Sequence, residues 1–590
     1  MRRSPAVTEF PLAIGTSLAV PWMLILSACS GLDTGTEADL VLLNGTVITV
    51  DSQDNVAEAV AVQDGKIVAV GIDREVERWV GPGTTRIDLE GSTVTPGLLD
   101  AHAHFAYGGT RRLYLLDLSY PNVKSVADIV ALVATQVERL EPGDWVHGAG
   151  WDEGKFSELR YIYASDLDSV APDNPVWLNH TMGHYGTANS RALRLAGIDE
   201  NTPDPPGGTI DRYSDGTPTG VLKESAQDLV SDLIPDFSPE QWRAGIRELA
   251  REFNAECMTG VKDPGIAWDT WEAYQDVLAA GDLTVRVFVL WCCGPWVIDR
   301  VASFTKPYDS TGDDHLISGG AKLYLDGSGG ARTAWLHDDW NKDFSDVDQG
   351  NRGYPVDDPE EIRELIRTYH DAGLHVSVHA IGDRAIDWTV DSYASALQAN
   401  PISGLRHGII HANIPTDHAI NLMAELQGTY DAAYPEPSSI FMWWIGDTYA
   451  GNFGPERSRR LNPFRTYLEK GIRWAQGSDY YVAPFPARYG LWASMERETL
   501  LGVYGPNPFG KDESLDIVTA LRSYTIWSAR QMFLEEKIGS IEVGKYADLA
   551  VWDKNLYEIP PAEIKDLRCL MTTFQGQVVY RNPEAALGTR

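Results

Sequence analysis

From residue 38 onward the apolar residues fall in short runs: Leu40-Val41-Leu42, Thr46-Val47-Ile48-Thr49-Val50, Ala59-Val60-Ala61-Val62, then Asp64-Gly65 and Ile67-Val68-Ala69-Val70. Runs of this length, broken by Gly, Asp and Asn, predict short strands joined by turns. The same texture returns in residues 538–551 and 575–579. The two chain ends are therefore expected to build one small β-sandwich domain, from residues 39–93 and 536–590. Between them the pattern changes. Residues 360–372 carry a helical pattern and residues 374–379 follow as a strand, and such alternation predicts a parallel βα sheet over residues 94–535. The stretch from about 110 to 250 is too long for one βα connection and is rich in aromatic residues, Pro and Gly. It predicts an inserted subdomain.

The first residues differ from this texture. Arg2 and Arg3 precede an apolar stretch, residues 10–26, that ends in Leu26-Ser27-Ala28-Cys29. This has the form of a secretory signal. A spanning helix would need about 18 or more unbroken apolar residues, and Pro11 and Pro21 interrupt the run. The tetrapeptide is similar to the lipobox of bacterial lipoproteins, which implies acylation of Cys29, a signal peptide over 1–29 and a tether over 30–38. The expected location is the bacterial cell envelope, lipid-anchored and facing the periplasm or exterior. Cys257, Cys292, Cys293 and Cys569 lack metal-knuckle spacing and are expected to be buried thiols. With 590 residues, 43% of them hydrophobic, the chain can bury a large core. Its net charge of −35 excludes nucleic acid as a partner and leaves the anchor as the route to a membrane.

Candidate chemistry sits at the ends of the apolar runs. Residues 94–104 end in His102-Ala103-His104, and residues two apart in a strand face the same way, so both imidazoles can reach one cation. Lys322 lies in the strand-like Ala321-Lys322-Leu323-Tyr324-Leu325, where a bare ammonium is costly. Such a lysine either pairs with Asp326, or reaches solvent, or captures carbon dioxide as a carbamate. His379 closes residues 374–379 and His411 closes Gly408-Ile409-Ile410-His411. His375 and His407, at the starts of those runs, are expected to be structural. Asp479 follows Trp474-Ala475-Gln476-Gly477-Ser478, where small residues let a ligand approach. It can bind metal and hold the proton of an attacking water.

This ordered set resembles the amidohydrolase superfamily, and the flanking text is similar to its YtcJ-like branch, amidohydrolase family 3. The matching motifs include residues 95–104, Gly150-Trp151-Asp152-Glu153, His184, Lys322 with Asp326-Gly327-Ser328, His379-Ala380-Ile381-Gly382-Asp383, Gly477-Ser478-Asp479 and residues 539–549. The resemblance implies a (β/α)8 TIM-like barrel holding one or two divalent ions, zinc or manganese. His102 and His104 would hold one, His379 and His411 a second, a Lys322 carbamate would bridge them, and Asp479 would complete the site as catalytic base. Family members commonly place a Glu before the last His; here that position is Ile410. His184, Asp152 and Trp151 are expected at the substrate. The activity implied is hydrolysis of a C–N bond in a small amide, N-formyl, N-acyl or cyclic amide compound. Ester or lactone hydrolysis, metal-assisted isomerisation and a non-catalytic lipid-tethered binding role are the alternatives. A homodimer is the assembly expected if the chain associates.

Overall fold

The computed structural model describes residues 37–294, 296–301, 314–341 and 350–589. Its central sheet holds seven strands: β1 (Leu98–Asp100), β2 (Met258–Ile266), β3 (Arg286–Trp291), β4 (Leu316–Tyr324), β5 (His375–Ala380), β6 (Gly408–His411) and β7 (Tyr434–Glu436). They lie side by side in that order, every pairing parallel. All six residues of β3 and of β5 are buried, as strands covered on both faces require. The two edges are bridged by residues 474–479. Ala475 N donates to Pro435 O in β7, and Ala101 N, just past β1, donates to Gln476 O. This extended segment takes the eighth place, and the sheet curls into a TIM-like barrel.

Helices cover the outside. α1 (Phe105–Tyr114) follows β1, and α2 (Pro239–Ala255) precedes β2. α2 begins in a capping box in which Ser238 and Gln241 exchange side-chain and backbone bonds, with Pro239 at its first position. α3 (Pro359–Asp371) buries Ile362, Ile366 and Tyr369 along one stripe, so the helical pattern of residues 360–372 is found almost in place before β5. The segment expected as one insertion divides. Its six-stranded sheet ends with Pro218–Glu224, whereas α2 belongs to the barrel and packs on α1.

Strands from both chain ends form two sheets. One orders Gly588–Thr589, Thr85–Asp88, Leu40–Leu43, Ala59–Gln63 and Lys66–Gly71; the other includes Cys569–Phe574, Leu549–Trp552, Thr93–Pro96 and Thr46–Ile48. Leu40, Val60 and Ile87 of the first meet Val94, Leu549 and Met571 of the second in one apolar cluster. The cysteines correct the expectation of buried thiols. Cys257, just before β2, forms a disulfide with Cys569 across 312 residues. Cys292 and Cys293 are only partly buried. Among the described residues no helix is long and apolar enough to cross a membrane. The expected leader, Cys29 and most of the tether lie outside the described residues.

Candidate metal centre

β1 stops at Asp100, so His102 and His104 stand in the turn between β1 and α1 rather than in a strand. They converge all the same, with Nε2 atoms 3.1 and 3.5 Å from Asp479 Oδ1. Asp100 organises this corner. Its Oδ1 accepts from the backbone of His102 and of Ser478, both at 3.0 Å, and its Oδ2 accepts from the Ser478 hydroxyl at 2.6 Å. One buried carboxyl therefore fixes the His pair and the Asp479 loop together. Asp263 at the mouth of β2 acts likewise on α1, accepting from Phe105 N and Ala106 N at 3.1 Å each. A carboxylate there also suits the positive end of the helix. Burial pushes the Asp100 carboxyl up to about 7 and that of Asp263 up to about 6. Gly477 is needed for the close approach, since a Cβ there would lie 2.7 Å from His102 Cβ.

His379 and His411 end β5 and β6, with ring centroids 4.7 Å apart, and the His411 ring is 5.2 Å from that of His102. His411 Nε2 lies 3.9 Å from Asp479 Oδ2. Both His411 and Asp479 hold left-handed backbone, at φ of 69° and 54°. That conformation costs roughly 1–2 kcal/mol per residue, and here it aims both side chains inward. Lys322 of β4 is 1% exposed, and its Nζ has no hydrogen-bond partner among the described residues. Asp326 does not pair with it. That carboxylate instead accepts from the backbone of Trp335, Ile381 and Gly382 and lies 3.3 Å from His379 Nδ1.

The chemistry of this donor set fits a divalent cation. His102 Nδ1, His379 Nε2, His411 Nδ1 and Lys322 Nζ are buried without a hydrogen-bond partner among the described residues. Buried polar atoms are normally satisfied, so a cluster of orphans facing one carboxylate marks a place for something else. Burial holds His102, His379 and His411 well below the usual imidazole range, which leaves them neutral and able to ligate. It also brings Lys322 down to about 7, favouring the free amine that carbamate formation needs. Burial opposes the charge of Asp479, but His411 and the bonds to His102 and His104 outweigh it and keep the carboxyl ionised.

The residues expected at the substrate separate. The His184 ring stands 5.2 Å from that of His379, and its Nδ1 is 2.9 Å from Glu224 Oε2, so it remains beside the centre. Trp151 does not. It is wholly buried, and its indole N–H donates to Leu178 O inside the insertion, because that sheet needs a large apolar residue to fill its own core. Asp152 is turned to Lys155 at 3.0 Å and to Gly154 N at 2.9 Å. With Glu153 and His180 it forms a second group of metal-ligand type, but Lys155 and the Tyr185 hydroxyl already occupy it. Missed from the sequence were Asp100 and Asp263 as organisers. Missed too was the buried Lys262 to Glu436 pair at 2.6 Å, which His375 and Ser377 join beside Lys322. Asp100 stood inside the quoted motif; the others carried no signal beyond a charge in an apolar run.

Comparison with known proteins agrees with this geometry. The amidohydrolase family profile matches residues 85–580. YtcJ of Bacillus subtilis is 30% identical over 91% of this chain and 98% of its own, and the N-substituted formamide deformylase of Arthrobacter pascens is 29% identical over 92% and 98%. An uncharacterized metal-dependent hydrolase from Pyrococcus horikoshii superposes with a TM-score of 0.69 at 24% identity, covering 89% of this chain and 99% of that one. The family match and the donor cluster support a metal-dependent hydrolase, and with all six stations inside the matched span the chain belongs to the amidohydrolase family.

Proposed function

We propose that the protein hydrolyses the C–N bond of a small amide, N-formyl or N-acyl compound. The observation that carries this reading is the buried cluster of His102, His379, His411 and Lys322 around Asp479, each with a nitrogen that has no hydrogen-bond partner among the described residues. His102 and His104 would hold one divalent ion and His379 and His411 a second, with Lys322 as a carbamate between them; zinc is the ion we favour. Such an ion lowers the pKa of water toward about 7 and polarises a carbonyl oxygen. Asp479 takes the proton from the attacking water and returns it to the leaving nitrogen, the two halves of general acid–base catalysis. His184, held by Glu224, faces the same space and orients the substrate carbonyl. Similarity to a formamide deformylase favours the amide class over esters. The sequence at Cys29 adds a lipid anchor to this reading.

The test is direct. Metal-loaded protein should hydrolyse members of a panel of N-formyl and N-acyl amines. D479N should lower kcat by at least about 1,000-fold while metal content and melting temperature hold, since one essential proton carrier is gone. Failure of the loaded protein on the whole panel, or full activity in D479N, overturns the reading.

A further inference from the structure

A second feature adjoins the centre and plays no part in the chemistry above. A cavity of about 780 Å³ has Tyr481 in its wall. The Tyr481 ring is 5.6 Å from that of His104, and on it rests the Arg111 guanidinium, 4.3 Å from its centroid. Trp443, Trp444, Tyr489 and Phe485 supply aromatic walls, with the Trp443 ring 5.5 Å from Trp444 and 5.0 Å from Tyr489.

Two of the charges lining this cavity, Arg111 and Asp117, have no ion-pair partner among the described residues. Glu252 takes Arg112 at 3.0 Å, Glu256 takes Arg488 at 2.8 Å, and Asp117 accepts from Ser119 and Asn122. Among the described residues Arg111 has no carboxylate partner, and its Nη1 is shut off from solvent with no hydrogen bond. The Tyr481 face compensates this cation only in part, and a guanidinium is built to grip a planar oxyanion at two points. Arg111 also has a fixed relation to the centre. It lies on α1, seven residues beyond His104, the residue that caps that helix, so about two turns or about 10 Å separate them along the axis.

We propose that this cavity receives the amine portion of the substrate, and that this portion is a flat aromatic acid whose carboxylate binds Arg111. The aromatic walls take the ring, and the two-turn spacing separates the carboxylate from the scissile bond by about the length of a phenyl group. The assignment of the amine portion rests on the hydrolase reading; the anion site does not.

Binding is read first, by quenching of tryptophan fluorescence, with 3-phenylpropionate and its neutral twin 3-phenylpropanamide as probes. Wild-type protein should prefer the acid at least 10-fold. R111Q should weaken the acid 10- to 100-fold, the range of a charge-assisted bond, and leave the amide unchanged, while R111K should keep part of the preference. Equal affinity for acid and amide in the wild type overturns the proposal, as does an undiminished preference in R111Q or no binding of either probe at several millimolar. The wild-type comparison stands even if R111Q does not fold. Turnover is read second, on the N-formyl derivatives of 4-aminophenylacetate and of its amide, where R111Q should raise KM for the acid alone. Acid binding through Arg111 without hydrolysis of any amide sinks the hydrolase reading and leaves the anion site. Hydrolysis without acid preference sinks the anion site alone.

Discussion

His407 shows how tightly burial sets protonation in this barrel. Its Nδ1 accepts from Val376 N at 3.2 Å, and its Nε2 faces His370 Nδ1 at 2.9 Å, so the ring has no room for a second proton. Burial, helped by the neighbouring His370, brings it down to about 3. An unfolded chain takes that proton near pH 6.5, so between about 6.5 and 3 the unfolded state binds more protons and stability falls as pH drops. At 1.36 kcal/mol per pH unit the loss reaches up to about 5 kcal/mol. Urea titrations from pH 8 to 4 should show a shallower acid limb for H407Q than for wild type, by up to one proton; identical limbs would contradict this assignment. Residue-scale legibility was uneven. His102, His104, Lys322, His379, His411 and Asp479 each close or occupy an apolar run, which made them visible. Asp100 and Asp263 act through backbone N–H groups brought from elsewhere in the fold, and such partners leave no spacing to read.

At the scale of elements, α1 depends on how closely α2 can approach it. A Cβ on Gly109 would lie 2.1 Å from Gly245 O, and one on Gly245 would lie 2.2 Å from the Thr110 hydroxyl. G109A should therefore force the helices apart at a cost of about 1–3 kcal/mol. Because His104 caps the start of α1, the same change should lower metal occupancy. Calorimetry with metal analysis checks both, and an unshifted melting temperature would refute the close packing. The helical stripe of α3 and the apolar runs of β5 and β6 were plain in the sequence because period and length agree. The eighth place of the barrel was harder. Residues 474–478 form no regular strand and join each neighbour only through isolated bonds. The edge of the insertion was also hidden, since α2 carries the same amphipathic pattern whichever body it packs against.

The whole molecule is tied across its length. The Cys257 to Cys569 disulfide joins the barrel to a sheet shared by both chain ends, and no sequence rule pairs cysteines so far apart. Replacing both with Ser should lower stability by about 2–4 kcal/mol and leave kcat unchanged, as neither touches the metal centre. Denaturant midpoints of the variant and the wild type, each without reductant, test this; equal midpoints would show the link to be idle. The clasp of Asp100 on Ser478 spans 378 residues. On a ribosome adding about 5–20 residues per second, the nascent chain displays His102 and His104 for roughly 20–75 s before Asp479 has been made. Thr93–Pro96 waits longer still, with one backbone edge open until Leu549–Trp552 arrives. Synthesis thus passes through a long stage in which two imidazoles and one strand edge have been made and their partners have not.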